Sequence, residues 1–124
     1  MHLITEHRDP PYIEITVFER YAENYRDDIE SVLARYTSAY DEFCMLEVQH
    51  GKIEGGLWML MRSWGAVSQE LLAGLKKVRR YAVVSDEPGL LIRVNVALPC
   101  LGSMDMRLFK LHELDDARAW MKQA

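Results

Sequence analysis

Residues 25–48, YRDDIESVLARYTSAYDEFCMLEV, decide the fold class because the hydrophobic period changes within them. Tyr25, Ile29, Val32, Leu33, Tyr36 and Tyr40 recur at helical spacing and make one apolar stripe. Asn24 stands at the N-cap position, and Asp27 and Asp28 put negative charge into the first turn, where the helix dipole favours it. Phe43-Cys44-Met45-Leu46-Glu47-Val48 then runs short and almost wholly apolar, which predicts a strand covered on both faces, as in a parallel sheet packed between helices. A helix leading into such a strand is the second half of a parallel crossover.

Upstream, Ile13, Ile15 and Val17 alternate with Glu14 and Thr16, so Tyr12 to Phe18 reads as a strand. Asp9-Pro10-Pro11 breaks regular structure before it, and His2 to Glu6 is expected to pair with it as a hairpin. Downstream, Gly51 and Gly55-Gly56 open a loop, and Leu57, Leu60, Met61, Trp64, Leu71, Leu72 and Leu75 return to helical spacing. Gly65 and Gly74 weaken that pattern by about 1 kcal/mol each relative to alanine, so a break near residues 63–65 is compatible with it.

Tyr81 to Val84 is a further buried strand, ended by Ser85-Asp86. The stretch after it satisfies two periods: Ile92, Val94 and Val96 alternate like a strand, while Leu90, Val94, Ala97 and Leu101 have helical spacing. Sequence order favours the helix, because a parallel sheet needs a crossover there. Met104 to His112 alternates as a sheet edge would. Asp115 or Asp116 is the expected cap of a last helix carrying Ala117, Trp120, Met121 and Ala124 on one face. The expected architecture is one α/β domain over residues 1–124, a mixed, mostly parallel sheet with helices on its faces.

Composition narrows the function classes. Of 124 residues, 49% are hydrophobic and 27% charged, which suits a single globular core. The net charge of -4 and a single basic cluster, Lys76, Lys77, Arg79 and Arg80, argue against nucleic-acid binding. That cluster is expected to complement the C-terminal end of a helix. Cys44 and Cys100 make no disulfide framework, and neither an export signal nor a membrane-spanning run is present, so the cytoplasm is the expected compartment.

Catalytic and metal-binding patterns are missing. His2, His7, His50 and His112 lack the close spacing of a local metal site, there is no G-x-S-x-G elbow, and no cofactor is expected. Cys44 is read as a small buried hydrophobe, Glu47 as a strand-end carboxylate facing solvent, and His50 as a solvated loop residue. Gly51 to Gly56 reads as a flexible turn, since Glu54 opposes the binding of an anion there. The unusual feature is Trp58, Met59, Met61 and Trp64 at one helix start. A single buried stripe does not use all of them. Gly55, Gly56, Trp58, Met61 and Trp64 are therefore the candidate binding residues, for a lipid-like apolar ligand or a protein partner; core packing with a homodimer contact is the competing reading.

Over most of its length, and most strongly in its second half, the chain resembles the SpoIIAA-like proteins, relatives of STAS domains. Arg79-Arg80-Tyr81-Ala82-Val83-Val84-Ser85-Asp86 is similar to that family's basic-then-apolar strand. Leu108 to His112 followed by Asp115, Asp116, Ala117, Ala119 and Trp120 resembles its closing strand and helix. The resemblance implies an α/β fold and a binding or regulatory role without catalysis, in one version an anti-sigma-factor-antagonist type of signalling module. In proteins of that kind a serine at the start of the helix after the second parallel strand is phosphorylated. The corresponding residues here, His50 to Trp58, contain no serine or threonine, and the first hydroxyl after them is Ser63.

Overall fold

A computed structural model describes residues 2–18, 24–51, 69–86 and 104–123. Five strands, β1 (His2–Arg8), β2 (Pro11–Phe18), β3 (Phe43–His50), β4 (Val78–Val84) and β5 (Asp105–Phe109), form one sheet in the order β1-β2-β3-β4-β5. β1 runs antiparallel to β2, and every other neighbouring pair is parallel. The hairpin, the parallel pairing of β2 with β3 and the edge position of β5 are as the residue patterns predict, although β1 continues past Glu6 to Arg8. The predicted crossover between β4 and β5 lies outside the described residues.

Among the described residues three helices accompany the sheet: α1 (Tyr25–Ala39), α2 (Gln69–Lys76) and α3 (Leu114–Lys122), the last entered through a 3₁₀ turn at Leu111–Glu113. Strands laid down in sequence order, joined by crossovers of one hand, place successive helices on the same face. α1 and α2 accordingly touch each other. They pack with the odd-numbered side chains of β2 and β3, among them Ile13, Ile15, Phe43 and Met45. α3 lies on the opposite face, where Ala117, Trp120 and Met121 meet Tyr12, Cys44, Leu46, Ala82 and Phe109. β3 has seven of its eight residues buried because it is covered from both sides.

Every apolar position of the α1 stripe is enclosed, with Tyr40 only partly so. Asn24 is the N-cap of α1, but its amide donates to the Asp28 carboxylate (3.0 Å) and makes no bond to the helix backbone. The cap of α3 is Glu113; Asp115 and Asp116, the expected caps, lie in the first turn and act there through the helix dipole.

The basic cluster does close helix C-termini, largely those of neighbours. Lys76 is in the last turn of its own helix α2. The Lys77 ammonium donates to the carbonyls of Thr37 (2.9 Å) and Tyr40 (3.5 Å) at the end of α1, and the Arg80 guanidinium donates to the carbonyl of Trp120 (2.9 Å) in α3. Carbonyls in the last turn carry the negative end of the helix dipole, and cations are favoured beside them.

Candidate functional site

The carboxyl ends of parallel strands are where open α/β sheets place ligands, and the residue patterns direct attention to the same end. β2 and β3 finish in register, Phe18 against His50. The two rings stack with centroids 4.9 Å apart and planes 3° from parallel, so the histidine expected in a solvated loop is the exposed last residue of a strand. Gly51 follows with φ +84°, a conformation that L side chains rarely adopt, and ends the strand. The predicted binding residues Gly55, Gly56, Trp58, Met61 and Trp64 come next in the chain and lie outside the described residues.

Beneath this end the sheet carries polar groups. Glu47 is fully buried, contrary to the expectation of a solvent-facing strand end, and its Oε2 accepts a hydrogen bond from the Tyr81 hydroxyl at 2.8 Å. Its position follows from the pleat: Glu47 shares a face with Met45, and α1 covers that face. Tyr25, from the first turn of α1, is near enough that burial first, and the Glu47 charge second, push its phenol well above the ordinary tyrosine range. Gln49 and Ser85 are buried at the same ends of β3 and β4.

His2 reaches this region from the antiparallel strand. Its Nε2 lies 2.7 Å from Asp28 Oδ2, and its ring meets Tyr25 edge-on at 5.2 Å. On the opposite face, Arg118 of α3 clamps Glu14 of β2 with two 3.0 Å bonds, Nε to Oε1 and Nη2 to Oε2. Arg118 is thereby held more firmly in its charged form, and His7 stacks on Tyr12 beside the pair at 3.9 Å. Asp86 Oδ1 accepts the Leu111 amide at 3.1 Å, which anchors the approach to α3. Sequence reading passed over these ties because their partners lie far apart, 104 positions for Glu14 and Arg118. Hydrophobic periodicity carries no signal for them.

Each of these acids is therefore engaged in joining one element to another. Cys44 is buried as expected, and that burial raises its thiol above the usual range, which disfavours the reactive thiolate. Cys100 lies outside the described residues. Among the described residues no group of three or more His, Cys, Asp or Glu side chains is placed to hold a metal ion, and no helix is long and apolar enough to cross a membrane.

The family model described as SpoIIAA-like matches residues 13–122. No curated protein and no solved structure matches the chain.

Proposed function

This chain belongs to the SpoIIAA-like family, and from that premise we propose that it is a non-catalytic binding domain whose recognition surface lies at the carboxyl ends of β2 and β3 and in residues 55–64. The occupant in this reading is apolar: a lipid-like chain or an apolar segment of a partner protein. One observation carries the placement. The stacked Phe18–His50 pair and the Gly51 turn form the exit of the sheet into the segment that holds Trp58, Met61 and Trp64. The absence of catalysis is supported by the acids nearby, since Glu47, Asp28 and Asp86 are bound to Tyr81, His2 and the Leu111 amide.

The test is titration of tryptophan emission with a series of saturated fatty acids. Trp120 contributes a constant background, being buried with the Arg80 and Arg107 guanidiniums 5.0 and 5.5 Å from its ring. A saturable change is expected, with affinity rising about fourfold per added methylene, the equivalent of about 0.8 kcal/mol. Trp58→Ala should weaken binding with the far-UV spectrum unchanged. If no chain length alters the emission and native mass spectrometry of freshly purified protein finds neither ligand nor partner, the reading fails.

Family membership also favours a second reading, a signalling module of the anti-sigma-factor-antagonist kind. Residues 50–58 offer no hydroxyl to a kinase, so partner binding under that reading is not gated by phosphorylation there. A phosphate mapped to that segment after incubation with an anti-sigma kinase would contradict this.

A further inference from the structure

β1 is outermost in the sheet, and among the described residues its outer backbone edge has no partner strand. Natural edges are usually guarded by proline, a bulge, a lysine or a short strand. His2–Arg8 has seven residues with no proline, glycine or lysine, and it pairs with β2 without a register break. Arg8, at the far end of the strand, is exposed, but the other ionisable side chains on the α1 side are turned back onto that helix. The Glu6 carboxylate is held by Arg35 of α1 at 3.0 and 3.3 Å, and His2 is held by Asp28. A groove of about 300 Å³ runs between β1 and α1 past these residues. On the other face of the strand, Leu3 is 59% exposed.

We propose that β1 is a dimer seam, at which two copies of this chain pair their β1 strands antiparallel across a two-fold axis into one continuous sheet. The charge pattern of the groove selects a second copy as the occupant. Asp28 stands at the His2 end of the groove and Arg35 at the Glu6 end. Antiparallel pairing centred on Ile4 sets His2 opposite the partner's Glu6 and Leu3 opposite the partner's Thr5. Asp28 then faces the partner's Arg35, and the two-fold axis makes this contact twice, as an isologous interface requires.

The atoms for that contact are available. Asp28 takes the His2 ring and the Asn24 amide on Oδ2, and Arg35 binds Glu6 through Nε and Nη2, which leaves Asp28 Oδ1 and Arg35 Nη1 for the partner. The two side chains remain 43% and 57% exposed.

Sedimentation velocity on the full chain over a range of concentrations tests the seam, with the double variant Glu6→Arg/Arg35→Glu beside it. The swap keeps an ion pair between β1 and α1 with its sign reversed, so the fold is retained. Across the seam it sets a carboxylate at position 35 against the partner's Asp28, and an arginine in place of a carboxylate opposite the partner's His2. The expected result is a wild-type dimer whose dissociation constant rises about tenfold or more in the double variant. Amide exchange supplies the second readout: protection of residues 2–8 should increase with concentration, and that of residues 105–109 should not. A wild-type chain that stays monomeric, a dimer indifferent to the swap, or concentration-dependent protection at residues 105–109 in place of 2–8 overturns the proposal.

Discussion

Tyr36 is one of the buried tyrosines, with Tyr25, that set the alkaline limit of this fold. Its hydroxyl donates to the carbonyl of His7 at 2.7 Å and lies 3.4 Å from that of Tyr12, tying α1 to both strands of the hairpin. Burial is the main cause that raises its phenol from 10.0 to about 12, with the Glu6 charge next. A raised folded value means that the folded state keeps a proton which the unfolded chain gives up earlier. The stabilisation is therefore complete below pH about 10 and is lost as the pH rises to about 12. Urea midpoints measured across that window should fall more steeply for wild type than for Tyr36→Phe, and equal slopes would remove Tyr36 as the cause. Glu47 marks the limit of reading single residues from sequence. Its strand was legible as covered on both faces, and such a strand has no solvent side for a carboxylate to take. What the pattern lacked was the partner, Tyr81, which lies 34 positions away on β4.

At the scale of elements, the contact between α1 and α2 depends on a residue that looks unfavourable in isolation. Gly74 lowers the helix propensity of α2, yet a Cβ built there would lie 3.1 Å from Thr37 Oγ1 and 3.3 Å from Leu33 Cβ. Leu33 is fully buried and Thr37 is one turn along the same helix, so neither moves away freely. Gly74→Val should cost about 1–3 kcal/mol through overpacking, read as a lower urea midpoint at unchanged slope. A stabilised variant would show that propensity outweighs packing here. Strand and helix existence was legible at β2, α1, β3, β4 and α3 because each carries a clean period of two or 3.6, or an unbroken apolar run. The caps were less so. Asp115 and Asp116 looked like caps of α3, but the 3₁₀ turn at Leu111–Glu113 moves the helix start to Leu114. The Lys77 and Arg80 contacts reach from the end of α2 to α1 and from β4 to α3, which local spacing does not encode.

At the scale of the molecule, the sheet is a partition between two apolar clusters. Ile29 and Leu33 of α1 belong to one, with Ile13, Ile15 and Met45; Leu46 and Val48 of β3 belong to the other, with Trp120 and Met121 of α3. β3 and β4 supply side chains to both, so the clusters share a backbone even though no side chain crosses the sheet. Loss of either cluster would expose one whole face of β3, a strand whose backbone bonds join it to β2 and β4. Neither half is then expected to persist when the other melts, and the domain should unfold as one unit. Ile29→Ala and Leu46→Ala each empty a fully buried site, one on each face, and each should cost about 2–5 kcal/mol. Sites with no shared partners add, so the double variant should lose the sum within about 0.5 kcal/mol if it still folds. In each single variant, far-UV circular dichroism and Trp120 emission, isolated by Trp58→Phe and Trp64→Phe, should follow one coincident transition. If Ile29→Ala instead melted the α1 side while Trp120 kept its native emission, the two faces would be separate folding units joined only by a common sheet.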